Sequence, residues 1–308
     1  MGGADTGVGL VDASLVATLW RLRATEEGTS VATAVLLREV DATYGIDTEV
    51  AYGTLVAAVQ PDLTWIRLYT PTGNFGSRSD PPASPRYTEV RLSLIGEVVA
   101  ADPDPSVLPI GLINGNAHRR GERPPFDPYR VLDAIEAVVR DPDLGDAEIV
   151  SIVGDPSFPA RCVVSGDVEA LHRGEPVTFR LGARIQIEPD GVVVLSGLPP
   201  SESPNEVVST IIQFAQALSR PDGVRPPRLP VRDIDMRSED EIAVHVAAGS
   251  TTDELVEKLR TTWGVGTYFR ALLPAPTATL IRRHTEGDPE ATIDALERLR
   301  ALISANRP

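Results

Sequence analysis

The sequence predicts an α+β fold, and three observations carry that reading. Apolar residues recur at helical spacing in three short runs before Pro61. After Phe158 the pattern shortens to the alternation of strands, as in ARCVVSG and ARIQIE. Helix-opening signals then return between and after those strands, so the second half mixes the two kinds of element.

Taken in order, Leu15, Leu19 and Leu22 share one face of a helix expected from Leu10 to Arg23. Thr29 or Ser30 can cap a second helix through about Thr43, which carries Val31, Val35 and Val40 with Leu36 inward. A third follows Asp47 and uses Val50, Leu55, Val56 and Val59. It stops before Pro61, because proline disfavours helical backbone in the residue ahead of it. Extended chain is expected from Trp65 to Tyr69, and three short helices followed by such a region is the order of a winged-helix module.

Between Ala101 and Pro128, prolines and the run GNAHRRGERPP mark a boundary loop that divides the chain into 1–126 and 127–308. Asp127-Pro128 supplies an N-cap and a proline at the first helical position, opening a helix through Arg140. Strands are expected at ARCVVSG, Val177 to Arg180, ARIQIE and VVVL, the last two joined by a turn at Pro189-Asp190-Gly191. Ser203-Pro204-Asn205-Glu206 reads as a capping box before a helix to about Ser219. A proline-rich link, the strand EIAVHV, a helix from about Thr252 to Thr262, a short extended piece and a closing helix from Pro289 to Ser304 complete the order.

With 308 residues, 42% of them hydrophobic and 24% charged, the chain is long enough to bury two cores. Its 27 prolines and 25 glycines alternate with periodic apolar segments, which indicates stiff turns rather than disorder. Cys162 is the lone cysteine, so an internal disulfide and a cysteine-based zinc cluster are excluded. His118, His172, His245 and His284 are far apart, and no metal-ligand spacing is visible. Asp233-Ile-Asp235 has the spacing of a carboxylate pair but is expected in a solvated loop. No apolar run reaches the roughly 20 residues a membrane crossing needs, and the N-terminus has no signal-peptide pattern. A cytoplasmic protein is therefore expected. The net charge of −15 opposes nonspecific nucleic-acid binding, so any contact with phosphate has to be local.

Two segments narrow the reading further. GNFGS at Gly73 to Ser77 and, after a short loop, RYTEVRL at Arg86 to Leu92 resemble the catalytic-tyrosine segment of the A subunits of bacterial type IIA DNA topoisomerases, gyrase and topoisomerase IV. AYGTLVAAVQP, VLPIGLINGN, GDPSFPARCVVSG and IEPDGVVVLSGLPPSESPNEVVSTI are similar to neighbouring segments of that family in the same order.

The resemblance implies a winged-helix DNA gate over 1–126 and a tower-like mixed α/β domain over 127–308, without the coiled-coil exit gate. It implies a homodimer through the gate face. Tyr87 becomes the candidate nucleophile for reversible DNA cleavage through a phosphotyrosyl link, and Arg86 the residue that forks onto the phosphate. A phenol ionises near pH 10, which is why such a reaction needs positive charge beside it. Arg38, Arg78, Arg91, His118, Arg119, Arg120 and Arg123 are the candidate DNA contacts. The basic cluster His118 to Arg123 reads equally as a phosphate contact or a solvated loop. Magnesium and ATP enter through a separate B-type (Toprim/ATPase) subunit, and none is expected on this chain.

Departures from the family pattern bear on activity. VATAVLLREVDATY offers Arg38 alone among basic residues, beside Glu39 and Asp41. Tyr44-Gly45-Ile46-Asp47 holds no histidine where the family has two, and no isoleucine wedge follows Asn116. An alternative is therefore a catalytically silent relative that acts as a dimeric regulator, decoy or partner of gyrase subunits. A third reading has the acidic surface imitating DNA.

Overall fold

Leu15 and Leu19, fully buried on the first helix, begin a core that the chain keeps returning to. In the computed structural model, which describes residues 9–101, 108–115, 123–200, 202–216, 228–261 and 266–305, that helix is α1 (Leu10–Arg21). A short strand β1 (Val31–Ala32) leads into α2 (Thr33–Tyr44), which ends at Gly45 with φ 66°, a left-handed stop that glycine adopts freely. Asp47 caps α3 (Thr48–Val59) by accepting hydrogen bonds from the amides of Glu49 and Val50. Strand β2 (Tyr69–Thr72), a tight turn at Pro85–Tyr87 and strand β3 (Glu89–Leu92) follow, and β3 lies between β1 and β2 in a three-stranded antiparallel sheet. Helices α4 (Leu94–Ala101) and α5 (Ile110–Asn114) close this region.

Asp127 caps α6 (Pro128–Arg140) through the amides of Tyr129 and Arg130, with Pro128 at the first turn. Next come α7 (Asp146–Val153), β4 (Val163–Ser165), α8 (Val168–His172) and β5 (Val177–Gly182). After them lie β6 (Arg184–Ile187), β7 (Val193–Ser196), α9 (Pro204–Ala215), β8 (Val231–Ser238), β9 (Glu241–Val246) and α10 (Thr252–Thr261). The chain continues through β10 (Gly266–Ala271), α11 (Thr277–Arg283) and α12 (Pro289–Ala305). Two more antiparallel sheets result, in the orders β10-β5-β4 and β6-β7-β9-β8.

Mixed helices and antiparallel sheets make the fold α+β. Its hydrophobic core does not divide at residue 127, because Phe126, Val131 and Ile135 join the cluster that holds Leu36 and Leu55. Phe179, Phe269 and Leu299 return to that same cluster. The four-stranded sheet forms a second cluster with α9 and α10, built on Val193, Leu195, Ile211, Ile242, Val244 and Leu259. No helix among the described residues is long and apolar enough to cross a membrane.

Three local expectations are corrected. Val31 and Ala32 pair with Val90 and Glu89 instead of opening a helix, a contact that local periodicity does not encode. Ser203 makes no side-chain cap on α9. Asp233 and Asp235 lie on the edge strand β8, where Asp235 Oδ2 meets His245 Nε2 at 2.8 Å, instead of in a loop.

Two buried groups yield expectations. Burial pushes the Cys162 thiol up to about 12, outweighing the opposing pull of Arg78. We expect iodoacetamide at mildly alkaline pH to leave Cys162 unmodified in the folded chain and to label it in denaturant, read by mass spectrometry. His172 is buried with Nδ1 2.8 Å from Thr277 Oγ1, and burial lowers its pKa from the ordinary 6.5 against the pull of Asp155. The unfolded chain therefore binds the proton first, and stability is full above that ordinary value and falls as pH drops through it. Thermal melts from about pH 7 to pH 5 should show this decline, and His172→Gln should flatten it.

Candidate active site

The loop from Gly73 to Thr88 is built around two glycines. Gly73 has φ 95°, and a Cβ there would stand 2.9 Å from the Tyr87 carbonyl oxygen, so the end of β2 approaches the turn as closely as glycine allows. Gly76 has φ 81°, and Asn74 Oδ1 accepts a hydrogen bond from its amide at 2.7 Å. The carbonyl of Asn74 accepts from the amide of Ala83 at 3.0 Å, which joins the two limbs of the loop.

Helix α3 holds both limbs from below. Gln60, just past its end, donates through Nε2 to the carbonyls of Phe75 at 3.0 Å and Gly76 at 3.3 Å. Tyr52 Oη donates to the carbonyl of Ala83, and its ring lies 6.5 Å from that of buried Phe75.

Pro85 opens the turn, and the amide of Tyr87 donates to the Ser84 carbonyl at 2.9 Å. The next residue, Thr88, is buried, with Oγ1 donating to Thr33 Oγ1 at 2.9 Å. The Thr33 amide donates in turn to the Thr88 carbonyl at 2.9 Å, so the start of α2 fixes the end of the turn. With its neighbour drawn inward, the Tyr87 side chain points out and is 72% exposed. The Arg86 guanidinium stands 5.8 Å from the centroid of its ring. A phenol and a guanidinium thus share an open surface over a backbone tied at both ends.

The remaining residues expected at DNA divide into three groups. Arg38 is exposed on α2, the helix that packs against the Pro85–Tyr87 turn, and Arg123 is partly buried beside Gly115. Arg78 and Arg91, both expected to meet phosphate, are committed to carboxylates. Arg91 forks onto Glu26 at 3.0 and 3.3 Å, and this contact holds the Glu26 carboxyl below its ordinary pKa. Arg78 is turned inward between Asp62 and Asp240. His118, Arg119 and Arg120 lie outside the described residues.

Sequence reasoning missed Glu26, Gln60 and the Thr33–Thr88 pair. The glutamine stood in AYGTLVAAVQP, whose helix-ending Gln-Pro was the available signal; the acid and the threonines gave none. Among the described residues, no three His, Cys, Asp or Glu side chains converge to hold a metal ion.

The glycine contact is open to test. Gly73→Ala forces a side chain into a left-handed backbone and onto the Tyr87 carbonyl, and we expect a loss of about 1–3 kcal/mol in urea unfolding. Cleavage of the Gly73–Thr88 loop by a nonspecific protease should quicken in the same variant.

No protein-family model matches the chain. Comparison with curated proteins shows that it is similar to the A subunits of DNA gyrase and topoisomerase IV. It is 26% identical over 199 residues to the DNA topoisomerase 4 A subunit of Haemophilus influenzae, covering 55% of this chain and 26% of the relative. It is 26% identical over 239 residues to the DNA gyrase A subunit of Granulibacter bethesdensis, covering 68% and 25% respectively. With the DNA gyrase A subunit of Deinococcus deserti the identity is 30% over 182 residues, covering 49% and 22%. The chain spans about a quarter of the length of these relatives.

Proposed function

We propose that this chain acts as a DNA-gate protein of the kind found in the A subunits of gyrase and topoisomerase IV, with Tyr87 as nucleophile. The observation that carries the reading is the exposed Tyr87 ring beside Arg86 on a loop tied at both ends. In the reaction the Tyr87 Oη–P bond forms as a bond from phosphorus to a deoxyribose oxygen breaks. The phenolic proton passes to water, and the departing sugar oxygen takes one up. One phosphate diester replaces another, so the reverse attack reseals the strand without new energy. Arg86 donates to the phosphate oxygens as negative charge builds on them, and Arg38 adds positive charge from α2.

On this reading α1 to α3 with the β2–β3 hairpin form a winged-helix gate over 1–126, and the remainder forms the tower-like domain. The partners are DNA, a second copy of the chain through the gate face, and a B-type subunit, in the cytoplasm. Magnesium and ATP belong to the B-type partner.

A second reading is favoured by one observation. The exposed positions of α2 include Ala34, Val35, Asp41 and Ala42 with Arg38 alone among bases, while Arg78 and Arg91 are bound to acids. A chain that keeps the gate and its dimer without cleaving DNA would then regulate, decoy or partner gyrase subunits.

One experiment separates the two. The protein is incubated with supercoiled DNA, magnesium and a gyrase B subunit, then denatured, and DNA covalently attached to protein is measured. We expect attachment with the wild type and none with Tyr87→Phe, and a loss on the order of 10²-fold with Arg86→Ala. Tight binding to a gyrase subunit with no attachment at all would establish the silent reading instead.

A further inference from the structure

The segment that carries Tyr87 is also held by a side chain that the proposed chemistry does not use. Arg78 is only 8% exposed, and its guanidinium is shared by three parts of the chain. Nη2 donates to the Leu198 carbonyl at 2.7 Å, and Nη1 donates to Asp240 Oδ1 at 3.3 Å. Nε lies 3.2 Å from Asp62 Oδ2, off the line of a hydrogen bond. Asp62 belongs to the connection from α3 to β2, on the Tyr87 side. Leu198 is part of the second core, and Asp240 forms the turn between β8 and β9.

The loop is shaped to deliver this contact. Ser77 Oγ accepts from the amides of Ser79 at 3.1 Å and Asp80 at 3.2 Å, and the Ser77 amide donates to the Asp80 carbonyl at 2.9 Å. Arg78 is thereby set at the corner of a closed turn. Only a planar fork reaches two carboxylates and a carbonyl at once, so lysine is no equivalent here. Removing the cation would leave Asp62 and Asp240 as neighbouring like charges with no guanidinium between them, which favours their moving apart.

We propose that Arg78 is a positioning residue that latches the Tyr87 loop to the β6–β9 sheet unit, so that the place of Tyr87 depends on the place of that unit. The proposal rests on the reading of Tyr87 as nucleophile. A nucleophile needs its attack geometry held closely; the contacts with α2 and α3 tie the loop to the first core, and Arg78 adds its tie to the second.

The test uses the full chain as wild type, Arg78→Ala, Arg78→Lys and Asp240→Asn. Asp240 is half exposed in a turn, so its variant keeps the fold even where Arg78→Ala does not, and then decides alone. Two quantities are read: amide hydrogen exchange across residues 73–88, and the rate of covalent DNA attachment at saturating DNA, with DNA affinity measured alongside. In Arg78→Ala we expect loop exchange to quicken by about tenfold or more while α6 and α12 keep their protection. Attachment should slow by about tenfold or more with DNA affinity unchanged, a split that general destabilisation does not produce. Asp240→Asn should move both quantities less in the same direction, and Arg78→Lys should recover part of each. Unchanged loop exchange and attachment overturn the latch, as does a loss of DNA affinity that accounts for the whole fall in attachment. If even the wild type attaches no DNA, the nucleophile reading fails, and loop exchange still decides: quickened exchange upholds the latch and unchanged exchange overturns it.

Discussion

The place of Tyr87 depends on the contact between Thr33 and Thr88, two hydroxyl groups inside the core that satisfy one another at 2.9 Å. A buried hydroxyl without a partner costs about 1–3 kcal/mol, so sliding the turn along α2 is opposed twice, once for each side chain. The strand that follows then propagates the choice. Thr88, Val90 and Leu92 are buried while Glu89 stays exposed, and the same alternation turns Tyr87 outward. An apolar pattern that serves packing therefore presents the phenol to solvent. Gly73 completes the arrangement by letting β2 run beneath the Tyr87 carbonyl without a clash.

Charge works against this placement as much as with it. In a chain of net charge −15, several arginines are taken up by carboxylates, as Arg91 is by Glu26 and Arg300 by Asp133 and Glu136. Such pairs at the surface add little stability, but they remove cations from the count available to phosphate. Arg86 escapes this because its side chain lies over the Tyr87 ring, and Arg38 because α2 offers it an open face. On the proposed reading, binding of a duplex rests on shape and on two local charges, set against the repulsion of the whole molecule.

What the sequence could disclose followed the range of the interactions involved. Asp47 and Asp127 announced their helices because a cap is settled within three residues. Strand β1 escaped notice because two extended residues acquire meaning only against β3, and β8 because its partner β9 makes a strand of residues that look like a polar loop. The site divides the same way. GNFGS and RYTEVRL are local, so a resemblance can be carried by them alone. The inward turn of Arg78 depends on Asp240, a partner 162 positions away, and a basic residue in a loop looks the same whether it meets phosphate or a buried acid.

The junction of the two cores explains why that distant partner is in place. Arg161 holds φ 58°, a conformation that costs a non-glycine residue about 1 kcal/mol or more and persists only where its surroundings require it. Gly197 is part of that requirement: with φ 60°, a Cβ there would fall 2.7 Å from the Arg161 carbonyl oxygen. The residues beside the first core thus meet the second at a backbone contact too close for any larger residue. Leu198 follows Gly197 directly, and its carbonyl is the one that Arg78 reaches at 2.7 Å. A strained backbone and a buried guanidinium therefore meet the second core at neighbouring residues, Gly197 and Leu198.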